Sequence, residues 1–238
     1  VVSAKINGIA LRESDCVYTG KTGQAGGSWS LEIADIKAFG IDLTNGAVIE
    51  IVYSAHLNEN AKLNNDAENK NSVVLEYSNN PNGSGTGKTG PDNVWVFTYK
   101  VDNTKYANEV AEGKELAGAE FTLYEADGET VFGLIYDESM KAYRPVKKGE
   151  TAVAMVSAAD GTFNIAGLDA GTYVLKETNV PDGYNACEDI TVVISAAHEE
   201  SADGQSASVT FEGSSHMENV IIDKSGSELP ETGGIGTT

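Results

Sequence analysis

The feature that most constrains this chain is a recurrence of short β-forming runs separated by turn residues. The runs are rich in β-branched and aromatic residues, and Gly, Asn and Asp lie between them; examples are SWSLEIADI, AVIEIVYSAHL, NVWVFTYKV, AEFTLYEA, GTYVLKET and DITVVIS. The best helical candidate, NTKYANEVAEGKELAGAEF, is interrupted by glycines. Many short strands at regular spacing are typical of sandwiches and barrels. The sequence therefore predicts an all-β fold of immunoglobulin-like β-sandwich domains.

A break in this pattern divides the chain, whose 238 residues are enough for two domains. The stretch NNPNGSGTGKTGPDN is rich in Gly, Asn and Pro and has no apolar anchor, which favours a linker. We predict a first domain over residues 1–80, a linker over 81–93, a second domain over 94–223 and a flexible tail over 224–238. GSGTGKT does not complete a phosphate-binding loop, because Asn82 occupies the position of its first Gly.

Composition narrows the range of partners. The formal net charge of −20 argues against nucleic acid and anionic membranes as partners. Cys16 and Cys187 are far apart, and we expect lone thiols rather than a disulfide scaffold. The three histidines lack metal-ligand spacing, so we expect no metal and no cofactor.

The tail carries the most specific motif, LPETGG, formed by Leu229, Pro230, Glu231, Thr232, Gly233 and Gly234. It resembles the LPXTG sorting signal that sortase transpeptidases recognise on Gram-positive surface proteins. The resemblance implies cleavage between Thr232 and Gly233 and transfer of the Thr acyl group to an amine of peptidoglycan or of another protein. An extended, accessible Gly- and Ser-rich tail suits such a reaction.

The segment YVLKETNVPDGY places a carboxylate where a core residue is expected. Tyr173, Leu175 and Glu177 alternate along a predicted strand, so they share one face. Because two of the three are large and apolar, that face is expected to be buried. Burial of Glu177 in turn requires a compensating partner.

Residues 94–223 resemble the collagen-binding-protein B-type (CnaB-like) domains of Gram-positive pilins. VFTYKVDNT resembles the first strand of that family, GTFNIAGLDAGTYVLKETNVPDGYN its central block, and MENVIIDK its closing strand. In the family a Lys and an Asn form an intramolecular isopeptide bond beside a catalytic Glu. The resemblance implies a cross-link between Lys100 and Asn219, with Glu177 as the catalytic residue.

General chemistry is consistent with such a bond. Burial favours the neutral amine of a lysine and the protonated form of a carboxylic acid, and folding holds the reacting groups together. A protonated carboxyl can polarise a carboxamide and shuttle protons. From the residues alone, a buried Lys100–Glu177 ion pair with Asn219 as a hydrogen-bonded neighbour remains the alternative. The resemblance favours the isopeptide bond.

Residues 1–80 resemble the C-terminal part of a D2-type (CnaA-like) fimbrial domain. IEIVYSAHLNENAKLNNDAENKNSVVLEYSNNP carries this similarity, and we expect the domain to be incomplete at its N-terminus. The resemblance implies an isopeptide Asn on its last strand. Alternation does not choose between Asn71 and Asn79, and we select Asn71. We expect Lys5 to be a surface residue.

Together these features favour the C-terminal part of a sortase-dependent, SpaA-like major pilin. The expected role is structural rather than enzymatic, in a secreted, cell-wall-anchored pilus. Expected partners are sortase, neighbouring pilin subunits joined covalently to Thr232, peptidoglycan and host surface ligands. The stalk of a wall-anchored adhesin or minor pilin is the alternative. A surface enzyme is a third hypothesis, against which no nucleophile–His–acid set is evident in the sequence.

Overall fold

The computed structural model describes residues 3–20, 28–44, 46–58, 61–63, 69–80, 82–204, 206–211 and 217–226. The chain divides into two compact units, Val1–Asn60 and Ala61–Thr238. Strands dominate both units, which confirms the all-β fold class. Among the described residues, no helix is long and apolar enough to cross a membrane.

The first unit contains a small antiparallel sheet and a separate hairpin. Its strands are β1 (Ser3–Ile6), β2 (Ile9–Ala10), β3 (Val17–Gly20), β4 (Trp29–Glu32) and β5 (Ile49–Val52). Strand β1 lies between β2 and β5, and β3 pairs with β4. The β1–β2 turn uses Asn7 and Gly8 at φ angles of 49° and 81°, a left-handed conformation that these residue types adopt readily.

Two short 3-10 helices, Glu13–Asp15 and Ile36–Phe39, complete the regular elements described in this unit. On β1, Ala4 and Ile6 are buried. Between them, the Lys5 Nζ atom lies 2.9 Å from Glu50 Oε1, and 40% of the Lys5 side chain is exposed. The expectation that Lys5 is a surface residue is therefore confirmed.

The region expected to be a linker is structured. It follows β6 (Lys70–Val73) and β7 (Glu76–Ser78) and contains β8 (Thr86–Lys88) and the first half of β9 (Asp92–Trp95). Strand β7 pairs with β8, and β6 pairs with β9. A Cβ atom at Gly87 would lie 2.7 Å from the Tyr77 ring, so glycine at this position allows β7 and β8 to pack closely. Composition alone had suggested that this glycine-rich segment was a linker. The predicted linker over residues 81–93 is wrong, and the division between compact units falls after Asn60.

The rest of the second unit is a β-sandwich. Its strands are β10 (Tyr99–Ala107), β11 (Glu120–Glu125), β12 (Leu134–Asp137), β13 (Ala142–Pro145), β14 (Met155–Val156), β15 (Ile165–Leu168), β16 (Gly171–Asn179), β17 (Tyr184–Asn185), β18 (Ile190–Ile194), β19 (Ala196–Glu200), β20 (Ala207–Phe211) and β21 (Met217–Ser225). One sheet has the order β12-β13-β15-β10-β21-β17 and the other the order β14-β11-β16-β18. Strands β19 and β20 form a separate hairpin.

The core lies between these two sheets. Alternate residues of the facing strands supply it, as expected for a sheet with one buried face. Its fully buried side chains include Tyr99, Val101, Phe121, Leu123, Met155, Ile165, Leu168, Leu175 and Val192. Phe121 and Phe163 stack with their ring centroids 4.4 Å apart.

The first and last strands of the sandwich are parallel neighbours. Strand β10 pairs with β21 in a register that runs from Val101 opposite Met217 to Ala107 opposite Asp223. Residues 116 positions apart in sequence therefore lie side by side in the middle of the six-stranded sheet.

Candidate functional site

The buried glutamate expected from the sequence is present. Tyr173 and Leu175 are buried on the inner face of β16, and the side chain of Glu177 is 0% exposed on the same face. The Cys187 backbone N–H donates a hydrogen bond of 2.9 Å to Glu177 Oε2. The strand-period argument therefore identified the orientation of Glu177 correctly.

Its basic partner is Lys105. On β10 the inward positions are Tyr99, Val101, Asn103, Lys105 and Ala107, and all five are buried. The Lys105 side chain is 0% exposed, and its Nζ atom lies 3.2 Å from Glu177 Oε1. The Phe121 ring covers the amine, with 5.0 Å from Nζ to the ring centroid.

Asp223 is the third member of the cluster. It is 0% exposed near the end of β21, and Lys105 Nζ donates a hydrogen bond to Asp223 Oδ1. The register explains the contact, because Lys105 lies opposite Ile221 and Asp223 lies one inward position further along β21. The cluster of Lys105, Glu177 and Asp223 thus joins the first and last strands of the sandwich to the opposite sheet.

Burial affects the protonation of one member of the cluster, Asp223. Burial raises the pKa of the Asp223 carboxyl, although the Lys105 amine acts in the opposite direction. Glu177 Oε1 and Asp223 Oδ2 are both buried without a hydrogen-bond partner. The contact of Glu177 Oε1 with Lys105 Nζ, at 3.2 Å, is an ion pair. A neutral amine beside a protonated carboxyl would relieve part of the cost of burying separated charges.

The structure corrects the choice of cross-link partners, Lys100 and Asn219. Lys100 points away from the core, with 31% of its side chain exposed and Nζ 2.5 Å from Asp102 Oδ1. Asn219 Nδ2 instead donates to Asn103 Oδ1 at 2.9 Å.

The cause is the choice of neighbours from which the phase was counted. Val94 and Val96 are exposed, whereas Phe97 packs against the core and Tyr99 is buried. Odd-numbered positions therefore face the core from Phe97 into β10, and Lys100 lies on the other face. Alternation counted from Val94 and Val96, taken as core residues, placed Lys100 inward.

A sequence signal for the correct residues was available. In KVDNTKYAN, Lys105 alternates with Val101, and in MENVIIDK, Asp223 alternates with Ile221. Reading the phase from these apolar neighbours places both charged side chains on the buried face.

The remaining predicted residues lie elsewhere. Asn71 is exposed on β6, opposite Val94, and its role in a first-domain isopeptide bond stays a prediction. The alternative, Asn79, closes the β7–β8 loop, where its Nδ2 donates to Thr86 O at 3.0 Å. The sorting motif, Leu229 to Gly233, lies outside the described residues.

Two further features of the described residues are a group of possible metal-ligand atoms within the cluster and a cavity outside it. Ligand-type atoms of Glu177, Cys187 and Asp223 lie within 4.8 Å of one another, but the Lys105 amine already contacts both carboxyl groups. A separate cavity of about 340 Å³ is lined by Trp95, Val96, Phe97, Tyr99, Ala170, His198, Glu200 and Ala207, and does not include the cluster.

Comparison with known proteins supports the fold. Residues 100–207 match the family model SpaA, a prealbumin-like fold domain, and this range contains Lys105 and Glu177. No curated protein matches the sequence. The 35 kDa C-terminal fragment of the major pilin GBS80 of Streptococcus agalactiae is similar at 21% identity and a TM-score of 0.66, over 93% of this chain and 81% of that one. The chain therefore has the fold of that pilin fragment.

Other solved pilins align less closely. The group B streptococcus pilus 2b backbone protein matches at 21% identity and a TM-score of 0.49, over 92% of this chain and 82% of that one. The minor pilin GBS52 of Streptococcus agalactiae matches at 23% identity and a TM-score of 0.40, over 56% of this chain. That alignment spans only 46% of the minor pilin's own length.

Proposed function

We propose that this chain is a structural subunit of a Gram-positive surface pilus, hardened by an isopeptide bond between Lys105 and Asp223. The observation that carries the proposal is the fully buried cluster of Lys105, Glu177 and Asp223. The fold shared with a major pilin fragment and the LPETG tail give independent support. Glu177 keeps the catalytic role expected of it, while Lys105 and Asp223 replace Lys100 and Asn219.

The reaction is a condensation of the amine with the carboxyl. Proton transfer from the Lys105 ammonium to the Asp223 carboxylate gives a neutral pair, which the buried site favours. Nζ then attacks Cγ of Asp223, a C–N bond forms, one C–O bond breaks, and one water leaves. Glu177 donates and then recovers a proton as the tetrahedral intermediate forms and collapses. No enzyme is needed, because folding holds Nζ against Asp223.

The bond would protect the sandwich against tension. Strands β10 and β21 are the first and last of the sandwich and are parallel neighbours. A load that enters at the start of β10 and leaves at the end of β21 would cross directly through the Lys105–Asp223 bond. The strands between them, residues 106–222, would then carry little force. This arrangement suits the shaft of a pilus.

The tail would connect subunits. We propose that sortase cuts between Thr232 and Gly233 and transfers Thr232 to a lysine of a neighbouring pilin subunit or to peptidoglycan. The resulting polymer would be extracellular and wall-anchored. In this role the chain is a substrate of sortase and not itself an enzyme.

Intact mass spectrometry of the denatured full chain tests the bond. A condensation that releases water lowers the mass by about 18 Da, whereas an Asn partner would release ammonia and lower it by about 17 Da. We expect the water deficit, with a branched peptide that contains Lys105 and Asp223 after proteolysis. An unmodified mass would refute the isopeptide bond, and a branched peptide at Lys100 would restore the earlier pairing.

A further inference from the structure

A short segment connects the two sheets beside the cluster. The Gly183 carbonyl accepts a hydrogen bond of 2.8 Å from Gly226 N–H, and Tyr184 and Asn185 pair with Ser225 and Lys224 on β21. Two residues later, the Cys187 N–H binds Glu177 Oε2 on β16. Segment 183–187 therefore links the strand that carries Asp223 to the side chain of Glu177.

The Cys187 side chain lies next to the carboxyl groups of Glu177 and Asp223. It is half-buried and packs against the core cluster. Its Sγ atom and carboxylate oxygens of Glu177 and Asp223 all lie within 4.8 Å of one another. Burial raises the pKa of the Cys187 thiol to about 11, so the thiol is neutral at physiological pH. A neutral side chain next to the two carboxyls limits access of water without adding charge.

We propose that Cys187 is a positioning residue for the coupling of Lys105 to Asp223, acting through its backbone N–H. The inference rests on the proposed function, because it concerns the rate of the same bond. The Cys187 N–H on Oε2 and the Lys105 amine, 3.2 Å from Oε1, together restrain rotation of a carboxyl group whose terminal torsion is otherwise soft. Since segment 183–187 also pairs with β21, it fixes Glu177 relative to Asp223. Coupling depends on that placement, because reacting groups must meet at about 3–3.5 Å.

A matched pair of chains isolates the N–H. Both carry Cys187→Ala and are made in full length by in vitro translation, but in one the amide between residues 186 and 187 is replaced by an ester. The pair differs only in N–H against O. Each chain is held unfolded in urea under reducing conditions, folding is started by dilution, and the loss of about 18 Da is followed by intact mass.

We expect the ester chain to couple at least tenfold more slowly than the amide chain, which corresponds to about 1.4 kcal/mol in the barrier. A Lys100→Met chain, which leaves segment 183–187 and the cluster unchanged, is expected to couple within twofold of the unsubstituted chain. The same ester and amide pair in a Lys105→Met background cannot couple, so its melting temperature reports any purely structural effect. Rates are compared per folded molecule.

Equal rates for the ester and amide chains would overturn the positioning role. If the ester chain does not fold, a single Gly inserted between Asn185 and Ala186 displaces the N–H while the β17–β21 pairing is kept, and unchanged coupling in that variant would have the same meaning. An unsubstituted chain that never loses water would instead overturn the Lys105–Asp223 bond itself. The two failures are therefore distinguishable.

Discussion

Replacing Glu177 with Gln is the most direct perturbation of the cluster. Gln has nearly the same shape and keeps an oxygen that can accept the Cys187 N–H, but it has no acidic proton to exchange. We expect Glu177→Gln to fold with Lys105 and Asp223 in contact but not bonded. Its mass after denaturation should equal the full sequence mass.

The loss of the bond has a stability cost that follows from the structure. The cross-link joins residues 118 positions apart, and a loop of that length restricts the unfolded chain by about 5 kcal/mol on the chain-entropy model. A change of that size corresponds to a fall of roughly 10–20 °C in melting temperature for a unit of 150–250 residues. The effect acts on the unfolded state, so contacts in the folded core need not change.

Differential scanning calorimetry of the second unit's transition measures this effect, alongside intact mass. Lys100→Met is the matched control, because Lys100 is a lysine of the same strand that faces outward and pairs with Asp102. It should keep the deficit of about 18 Da and melt within a few degrees of the unsubstituted chain. A Glu177→Gln chain that still loses water, or a Lys100→Met chain that does not, would refute the assignment of the cluster.

Further predictions address the partner, the charge state, the thiol and the tail. Asp223→Asn should couple more slowly and lose about 17 Da instead of 18, because ammonia leaves in place of water. A deficit of about 18 Da in that variant, measured by high-resolution mass spectrometry, would argue against residue 223 as the partner of Lys105 in the bond. In Lys105→Met no bond can form, and burial holds the pKa of Asp223 above its unfolded value near 3.8. The folded state then binds more protons than the unfolded state, so the free energy of unfolding should fall as pH rises above 4. Urea titrations at pH 4.5 and 7.5 measure this change, and greater stability at pH 7.5 would contradict it. The Cys187 thiol, with its pKa raised to about 11, should react with a disulfide reagent at pH 8 at least tenfold more slowly in the folded chain than in urea; equal rates would contradict its burial. Sortase with a triglycine acceptor should release the segment from Gly233 onward and give a product in which Thr232 is joined to the triglycine, and Thr232→Ala should abolish this reaction. Transfer at another position would refute the sorting motif.

Local patterns were sufficient for part of the site. The period of two along GTYVLKET identified Glu177 as an inward carboxylate, and its side chain is fully buried. The same reasoning failed for Lys100, because Val94 and Val96, from which the alternation was counted, are exposed, while Tyr99 and Val101 are buried. A glycine-rich composition also suggested a linker where β8 forms, since close packing of Gly87 against Tyr77 depends on a partner strand.

The sequence by itself determined the all-β class, the burial of Glu177 and the presence of an LPETG motif, because each depends on neighbouring residues and their alternation. Only the tertiary structure decided which basic and acidic side chains meet that glutamate. Lys105 and Asp223 are far apart in the chain, and their contact depends on the register of two parallel strands. A shift of one residue in that register would turn one of the two side chains to the opposite face, so the chemistry is set by long-range pairing that no local pattern contains.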